Sequence, residues 1–277
     1  MAEGLLDVDG LTVTFPTPRG PVDAVRGISF AMGREKVGIV GESGSGKSIT
    51  ARAILGLVPR PGEVRGTITF DGTNLGKLTP AGWRRVRGRR ISMVMQDPKF
   101  SLNPVMTVGD QVSEAYRAHT GARRAEARER AHAMLEAVRI RDPGRVLELY
   151  PHEVSGGMGQ RVMIAMMLIP DPDLLIADEV TSALDVTVQM QVLAIVDDMV
   201  SQRGMGLIFI SHDLNLVASF CDRVLVMYAG RIVEECRAEA LTEARHPYTR
   251  GLLACLPRIG DQGAQLPVLT RDPAWLA

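Results

Sequence analysis

The sequence predicts an α/β fold around a mostly parallel sheet, and three observations carry that expectation. Apolar, β-rich runs recur along the chain, and several are continuous rather than alternating, as in strands covered on both faces. Helix-like segments lie between these runs. A glycine-rich stretch at residues 41–48 joins one of the strands to one of the helices. In chain order, the first strands are "LTVTF" (11–15) and "KVGIV" (36–40), and the helix "KSITARAILGLV" (47–58) follows, stopped by Pro59. "TITF" (67–70) runs into "FDGTN", a hairpin turn, and "ISMVM" (91–95) is the next strand. From about 97 to 160 strand signals are few and helix formers many, including "AEARERAHAMLEAVRI" (125–140), so this stretch reads as a helical insertion. Val162 to Ile169 reads as a buried helix entered through Ser155, Gly156 and Gly157. The strand "DLLIA" (173–177) precedes the helix at 187–204, for which Gly204 is the C-cap. "GLIFI" (206–210) and "RVLVMY" (223–228) close the series, the latter turning at "YAGR". After about 236 the prolines scatter and the apolar pattern thins.

Composition narrows the function classes. The 277 residues are 45% hydrophobic, which supports a substantial core. Lys plus Arg and Asp plus Glu both count 32, and zero net charge argues against a dedicated nucleic-acid binder. Arginines crowd at 82–90 and 121–130, read here as solvated faces. Cys221, Cys236 and Cys255 are an odd, widely spaced set that suits a reducing compartment and offers neither a disulfide framework nor a zinc site. The N-terminus carries no secretory pattern, and no apolar run approaches the ~18 residues of a membrane span. The chain is therefore expected to be soluble, or to reach a membrane through a partner.

The chemistry is concentrated in three short stretches. "GESGSGKS" (41–48) fits G-x-x-x-x-G-K-[ST] between a strand and a helix. Gly41, Gly44 and Gly46 let backbone N–H groups curl around phosphate oxygens at a positive helix end. Ser43, Ser45 and Ile49 complete the loop and first turn; Lys47 would reach the β- and γ-phosphates, and the Ser48 hydroxyl would ligate Mg²⁺. A nucleoside triphosphate is the ligand this pattern demands. "LLIADE" (174–179) runs four apolar residues into two carboxylates. Asp178 can hold Mg²⁺ and Glu179 is placed to polarise an attacking water. His212, in "FISHD", could contact the γ-phosphate or orient that water, and Gln96, ending "ISMVMQ", could sense Mg²⁺ or the same water. Glycines at a helix entrance are costly, so Ser155, Gly156 and Gly157 need a compensating ligand.

In order and spacing, the phosphate loop, Gln96, "VSGGM", "LLIADE", "SALD" (182–185) and His212 resemble the ATPase subunits of ABC transporters, from about residue 8 to 235. The resemblance implies a phosphate-loop NTPase of the ABC-ATPase fold: a RecA-like core, an antiparallel β subdomain and an inserted α-helical subdomain. Segments 1–95 and 161–235 would form the core, 96–160 the helical insertion ending in the signature, and 236–277 a C-terminal extension. It also answers the question of the glycines. Two chains would meet head to tail, and Ser155, Gly156 and Gly157 would present a hydroxyl, backbone N–H groups and a helix N-terminus to ATP bound by the other chain. Phe15 would stack on adenine, Gln96 would couple core to insertion, and Ser182 to Asp185 would cross the interface. Two departures stand: Val180 follows the catalytic Glu where proline is usual, and the signature opens with Val154 and ends with Met158.

"QDPKFSLNPVMTVGDQV" (96–112) and "RHPYTRGLLACLPRI" (245–259) are similar to the peptide and nickel importer branch of the family. Its C-terminal cluster corresponds to His246, Pro247, Tyr248 and Thr249, and the extension is expected to pack on the core or on a partner. Many members carry clustered cysteines there for an iron–sulfur centre; Cys255 stands nearly alone after Cys236, so none is expected here. The implied function is an ATPase at the cytoplasmic face of a bacterial membrane that powers uptake of peptides, or of a nickel chelate or related solute. Implied partners are a second ABC ATPase, two transmembrane permeases with a short helix docking near "KFSLNP", and indirectly an extracytoplasmic solute-binding protein. A soluble ABC ATPase of DNA repair or translation is the alternative from another class, disfavoured by the single cassette and short insertion.

Overall fold

A computed structural model describes residues 4–95, 102–181, 185–255 and 275. The chain divides into two compact units, Met1–Gly76 with Phe209–Ala277, and Lys77–Ile208.

In the first unit, β1 (Leu6–Thr17), β2 (Gly20–Met32), β4 (Glu63–Phe70) and β5 (Thr73–Asn74) form a four-stranded antiparallel sheet in the order β2-β1-β4-β5. Leu6, Val8, Leu11 and Val13 are buried along β1, the half-buried alternation of an antiparallel strand. The "FDGTN" turn closes β4 on β5 through Asp71 and Gly72, both at positive φ (45° and 72°), as a two-residue hairpin requires. β3 (Lys36–Val40) lies parallel to β9 (Arg223–Tyr228), and β10 (Arg231–Arg237) turns back on β9 through Ala229 and Gly230. With Phe209 and Ile210 of β8 (Gly206–Ile210) this gives the order β10-β9-β3-β8. Helix α1 (Lys47–Ile54) follows β3. Cys221 is buried there, and burial pushes its thiol up to about 12, so it behaves as a small apolar side chain.

The second unit carries α2 (Pro80–Val86), β6 (Ile91–Val94), the helices α3 (Val108–Thr120), α4 (Arg124–Ala137) and α5 (Pro143–Leu147), then α6 (Gly156–Leu168), β7 (Leu174–Asp178) and α7 (Val186–Arg203). β6 and β7 pair in parallel, and the start of β8 continues the run as β8-β7-β6. β7 and β8 are buried at every residue, which is why they read as unbroken apolar runs. Within the stretch expected to be helical, between 97 and 160, the described residues form α3, α4 and α5, and the first and last of these carry side-chain caps. Thr107 accepts from the Asp110 N–H and Asp142 from the Arg145 N–H. Gly121 in the left-handed region ends α3, and Gly204 likewise ends α7.

Candidate functional site

In the first unit, β3 runs straight into the phosphate loop. Gly41 (φ 148°) and Gly46 (φ 104°) pass so close to other backbone that a Cβ would sit 2.1 Å from the Met227 carbonyl and 2.7 Å from the Ala24 carbonyl. No side chain fits at either position. Gly46 is also the cap position of α1 and supplies no capping side chain, so a ligand rich in acceptor oxygens suits this helix start. Ser43 and Gly44 are exposed at the loop tip, and a Cβ on Gly44 would meet nothing within 4 Å. Ser45 is buried, and its Oγ has no hydrogen-bond partner among the described residues. An orphaned buried hydroxyl costs about 1–3 kcal/mol, which a phosphate oxygen would remove.

Lys47 is 5% exposed, and its Nζ donates to the carbonyls of Gly41 (2.8 Å) and Glu42 (2.9 Å). The ammonium is thus curled over its own loop. Transfer to phosphate would exchange neutral acceptors for charged ones, a gain of roughly 1 kcal/mol per bond. Ser48 and Ile49 are half-buried in the first turn of α1. Phe15 is half-buried on β1, and a Cβ on Gly62 would stand 2.6 Å from its Cε1, so the missing side chain at 62 makes room for the ring. His212 is exposed between two fixed neighbours. The Ser211 N–H donates to the Ile39 carbonyl (3.2 Å), and Asp213 caps the short helix Leu214–Phe220 (α8) by accepting from the Leu216 N–H (3.1 Å).

In the second unit, β7 delivers Asp178, buried, and Glu179, half-buried. Glu179 has φ +50°, a left-handed conformation that costs a non-glycine residue about 1–3 kcal/mol and persists only where the surroundings fix it. One contact holds the residue that follows. Buried Gln160, on α6, donates its Nε2 to the Val180 carbonyl at 2.6 Å.

Ser155 caps α6 by accepting from the Met158 N–H (3.4 Å), and Asp185 caps α7 by accepting from the Val188 N–H (3.0 Å). Gly156, Gly157 and Gly159 cost α6 a few tenths to about 1 kcal/mol each relative to alanine. Burial of Val162, Ile164 and Leu168, each wholly inaccessible, returns roughly 1.5–3 kcal/mol apiece, so the helix survives its glycines. Ser155, Gly157, Met158, Asp185 and Val188 line one open cleft of about 700 Å³.

The two units therefore bring together different parts of the expected site. The phosphate loop, Phe15 and His212 belong to the first, while Asp178, Glu179, the signature and Asp185 belong to the second. Gln96 and Ser182 to Leu184 lie outside the described residues, as do Lys99 to Ser101 of "KFSLNP". Sequence reasoning missed Gln160, whose signal is an amide at the head of an otherwise apolar helix face. Within the first unit the donor set suits a phosphate-bearing ligand: a buried lysine, an orphaned serine hydroxyl and a glycine cradle.

Comparison with known proteins agrees. The ABC transporter family matches residues 25–182. The oligopeptide transport ATP-binding protein OppD of Salmonella typhimurium is 46% identical over 274 residues, 98% of this chain and 82% of OppD. The dipeptide transport ATP-binding protein DppD of Bacillus subtilis is 46% identical over 276 residues, again 98% of this chain and 82% of the relative. Among solved structures, the dimeric post-hydrolysis ATP-binding cassette MJ0796, bound to ADP and Pi, superposes with a TM-score of 0.75 at 25% identity, covering 84% of this chain and 99% of its own. CbiO1 from Clostridium perfringens, part of the ABC transporter complex cbiONQ, gives 0.74 at 26% identity, covering 87% and 91%. The chain belongs to the ABC transporter family, as an ATP-binding and ATP-hydrolysing cassette of the ABC-ATPase fold.

Proposed function

We propose that this ABC ATPase powers the uptake of peptides, as the ATP-hydrolysing subunit of a bacterial importer. The observation that carries the ATPase reading is the Gly41–Ser48 loop, closed over its own lysine and carrying an orphaned hydroxyl. Similarity to OppD and DppD over 98% of the chain supports the peptide cargo. In this reading Lys47 and the loop N–H groups grip the phosphates, and Ser48, Asp178 and Gln96 hold Mg²⁺. A Mg²⁺ ion held by these residues would supply neutralisation of phosphate charge. Glu179 orients and deprotonates the attacking water, and His212 senses the γ-phosphate. Phe15 stacks on adenine. Ser155, Gly156, Gly157 and Asp185 serve the nucleotide of a second ATPase subunit in a head-to-tail dimer.

The chain would work at the cytoplasmic face of the membrane on two permease subunits, supplied by an extracytoplasmic solute-binding protein. Among the described residues no helix is long and apolar enough to cross a membrane, so attachment through permeases is the consistent arrangement. The first test is the mass of purified Glu179→Gln by light scattering, with and without ATP and Mg²⁺. A dimer that appears only with ATP, together with a fall in hydrolysis of about 100-fold or more, is the expected outcome. Hydrolysis near the wild-type rate would remove Glu179 from its role. Cells lacking the chain should lose uptake of labelled di- or oligopeptides; undiminished peptide uptake would overturn the cargo.

A further inference from the structure

The C-terminal extension places a hydroxyl on the phosphate loop. Helix α9 (Pro247–Ala254) is anchored at its start, where Arg245 and His246 donate their N–H groups to Glu234 Oε1 on β10 (2.6 and 3.3 Å). His246 Nδ1 in turn accepts from the Tyr248 N–H at 3.2 Å. This fixes Tyr248, whose side chain is fully buried, with its ring centroid 4.4 Å from that of Tyr228 and 5.8 Å from that of Trp275. From that stack the Tyr248 hydroxyl accepts the N–H of Glu42, the second loop residue, at 3.0 Å across 206 positions of sequence.

The same Glu42 carries the other end of the tie, since its carbonyl accepts from Lys47 Nζ (2.9 Å) and from the Ser45 N–H (3.2 Å). When Lys47 leaves for a phosphate, as the proposed function requires, the Glu42 carbonyl loses its charged donor. The Glu42 N–H keeps its own partner, because Tyr248 does not depend on the nucleotide. We propose that Tyr248 is a positioning residue: it holds the outer side of the phosphate loop in its nucleotide-binding shape, so that the extension sets the affinity for ATP. A buried tyrosine needs a partner for its hydroxyl wherever it sits, so the bond alone does not separate positioning from packing. What separates them is the donor's location, on the phosphate loop itself rather than on a neighbouring packing element.

Tyr248→Phe in the full chain removes the hydroxyl and keeps the aromatic stack. One neutral hydrogen bond corresponds to about a fivefold change in equilibrium constant. ATP titrated into the variant by calorimetry should bind roughly fivefold more weakly than into the wild type, while kcat at saturating ATP stays within about twofold. Amide hydrogen exchange in the 41–48 segment should quicken. Thr249→Val is the control on the same helix: its Oγ1 is buried without a partner among the described residues, and its loss should leave ATP affinity unchanged. ATP affinity unchanged in Tyr248→Phe, or weakened equally in Thr249→Val, would overturn the positioning role and leave the nucleotide site standing. Absence of ATP binding by the wild-type chain would overturn the nucleotide reading, and this proposal with it.

Discussion

The chain enters two helices through small residues and secures the two entrances differently. At α1 the loop's shape is held within the chain: Lys47 and Tyr248 hold the two ends of Glu42, and backbone presses on Gly41 and Gly46. At α6 the hold is light. Ser155 makes one capping bond of 3.4 Å, a Cβ on Gly156 would meet nothing within 4 Å, and one on Gly157 would meet only Val188. Neither Gly156 nor Gly157 adopts positive φ. The glycines of the first loop are demanded by the fold of this chain, whereas among the described residues a Cβ on Gly156 has open space and one on Gly157 is crowded only by Val188, at 3.0 Å. The nucleotide proposed to be presented by a partner subunit would supply a reason for small residues here that the chain's own packing does not.

The strongest way to break this contrast is Gly46→Ala. The added methyl would lie 2.7 Å from the Ala24 carbonyl at φ 104°, a clash with backbone on top of a strained conformation. Expected is a loss of ATP binding of about 100-fold or more, with stability lowered by several kcal/mol. Binding within about tenfold of wild type would show that the loop tolerates another path and weaken the account of a site built in cis.

A middle effect is expected at Gln160, which joins the signature helix to the turn carrying Glu179. Gln160→Leu keeps the volume but leaves the Val180 carbonyl buried without its donor, at a cost of roughly 1–3 kcal/mol. With Glu179 no longer pinned at φ +50°, kcat should fall about tenfold while ATP affinity of the isolated chain is unchanged. A lower melting temperature with full kcat would make the bond a packing device only.

These two sites also show what could be read beforehand. The phosphate loop, the acid pair and the signature are contiguous words, and their chemistry is local to each word. The buried strands were equally legible, because β3, β7 and β8 are apolar at nearly every residue. β2 escaped notice: "GPVDAVRGISFAM" interrupts its apolar residues with charge, and its pairing with β1 shifts register at irregularities. The helix read as 47–58 ends at Ile54, because Gly56 turns into the left-handed region before Pro59 is reached. Tyr248 and Gln160 act on residues 206 and 20 positions away. No local pattern encodes such a bond, since only the finished packing brings donor and acceptor together.

The smallest effect on the fold is the sharpest for the comparison. Gly156→Ala adds a methyl at an exposed helix start with ordinary backbone angles and open space around it. Alanine restricts the unfolded chain and favours the helix, so the isolated chain should gain a few tenths to about 1 kcal/mol and melt roughly 1–3 °C higher. ATP binding to the isolated chain should be untouched, because the phosphate loop lies elsewhere in the sequence and is secured by its own contacts. Hydrolysis by the dimer should nonetheless fall, by about tenfold or more, since on the proposed arrangement the methyl would occupy the approach of the facing phosphate and a displacement of ~1 Å is costly to chemistry. Stability and activity moving in opposite directions, with ATP binding by the isolated chain unchanged, would set a ligand-facing role apart from simple helix capping. Should both rise together, the glycine would be no more than an unimproved helix cap, and the ligand in trans would lose its main support.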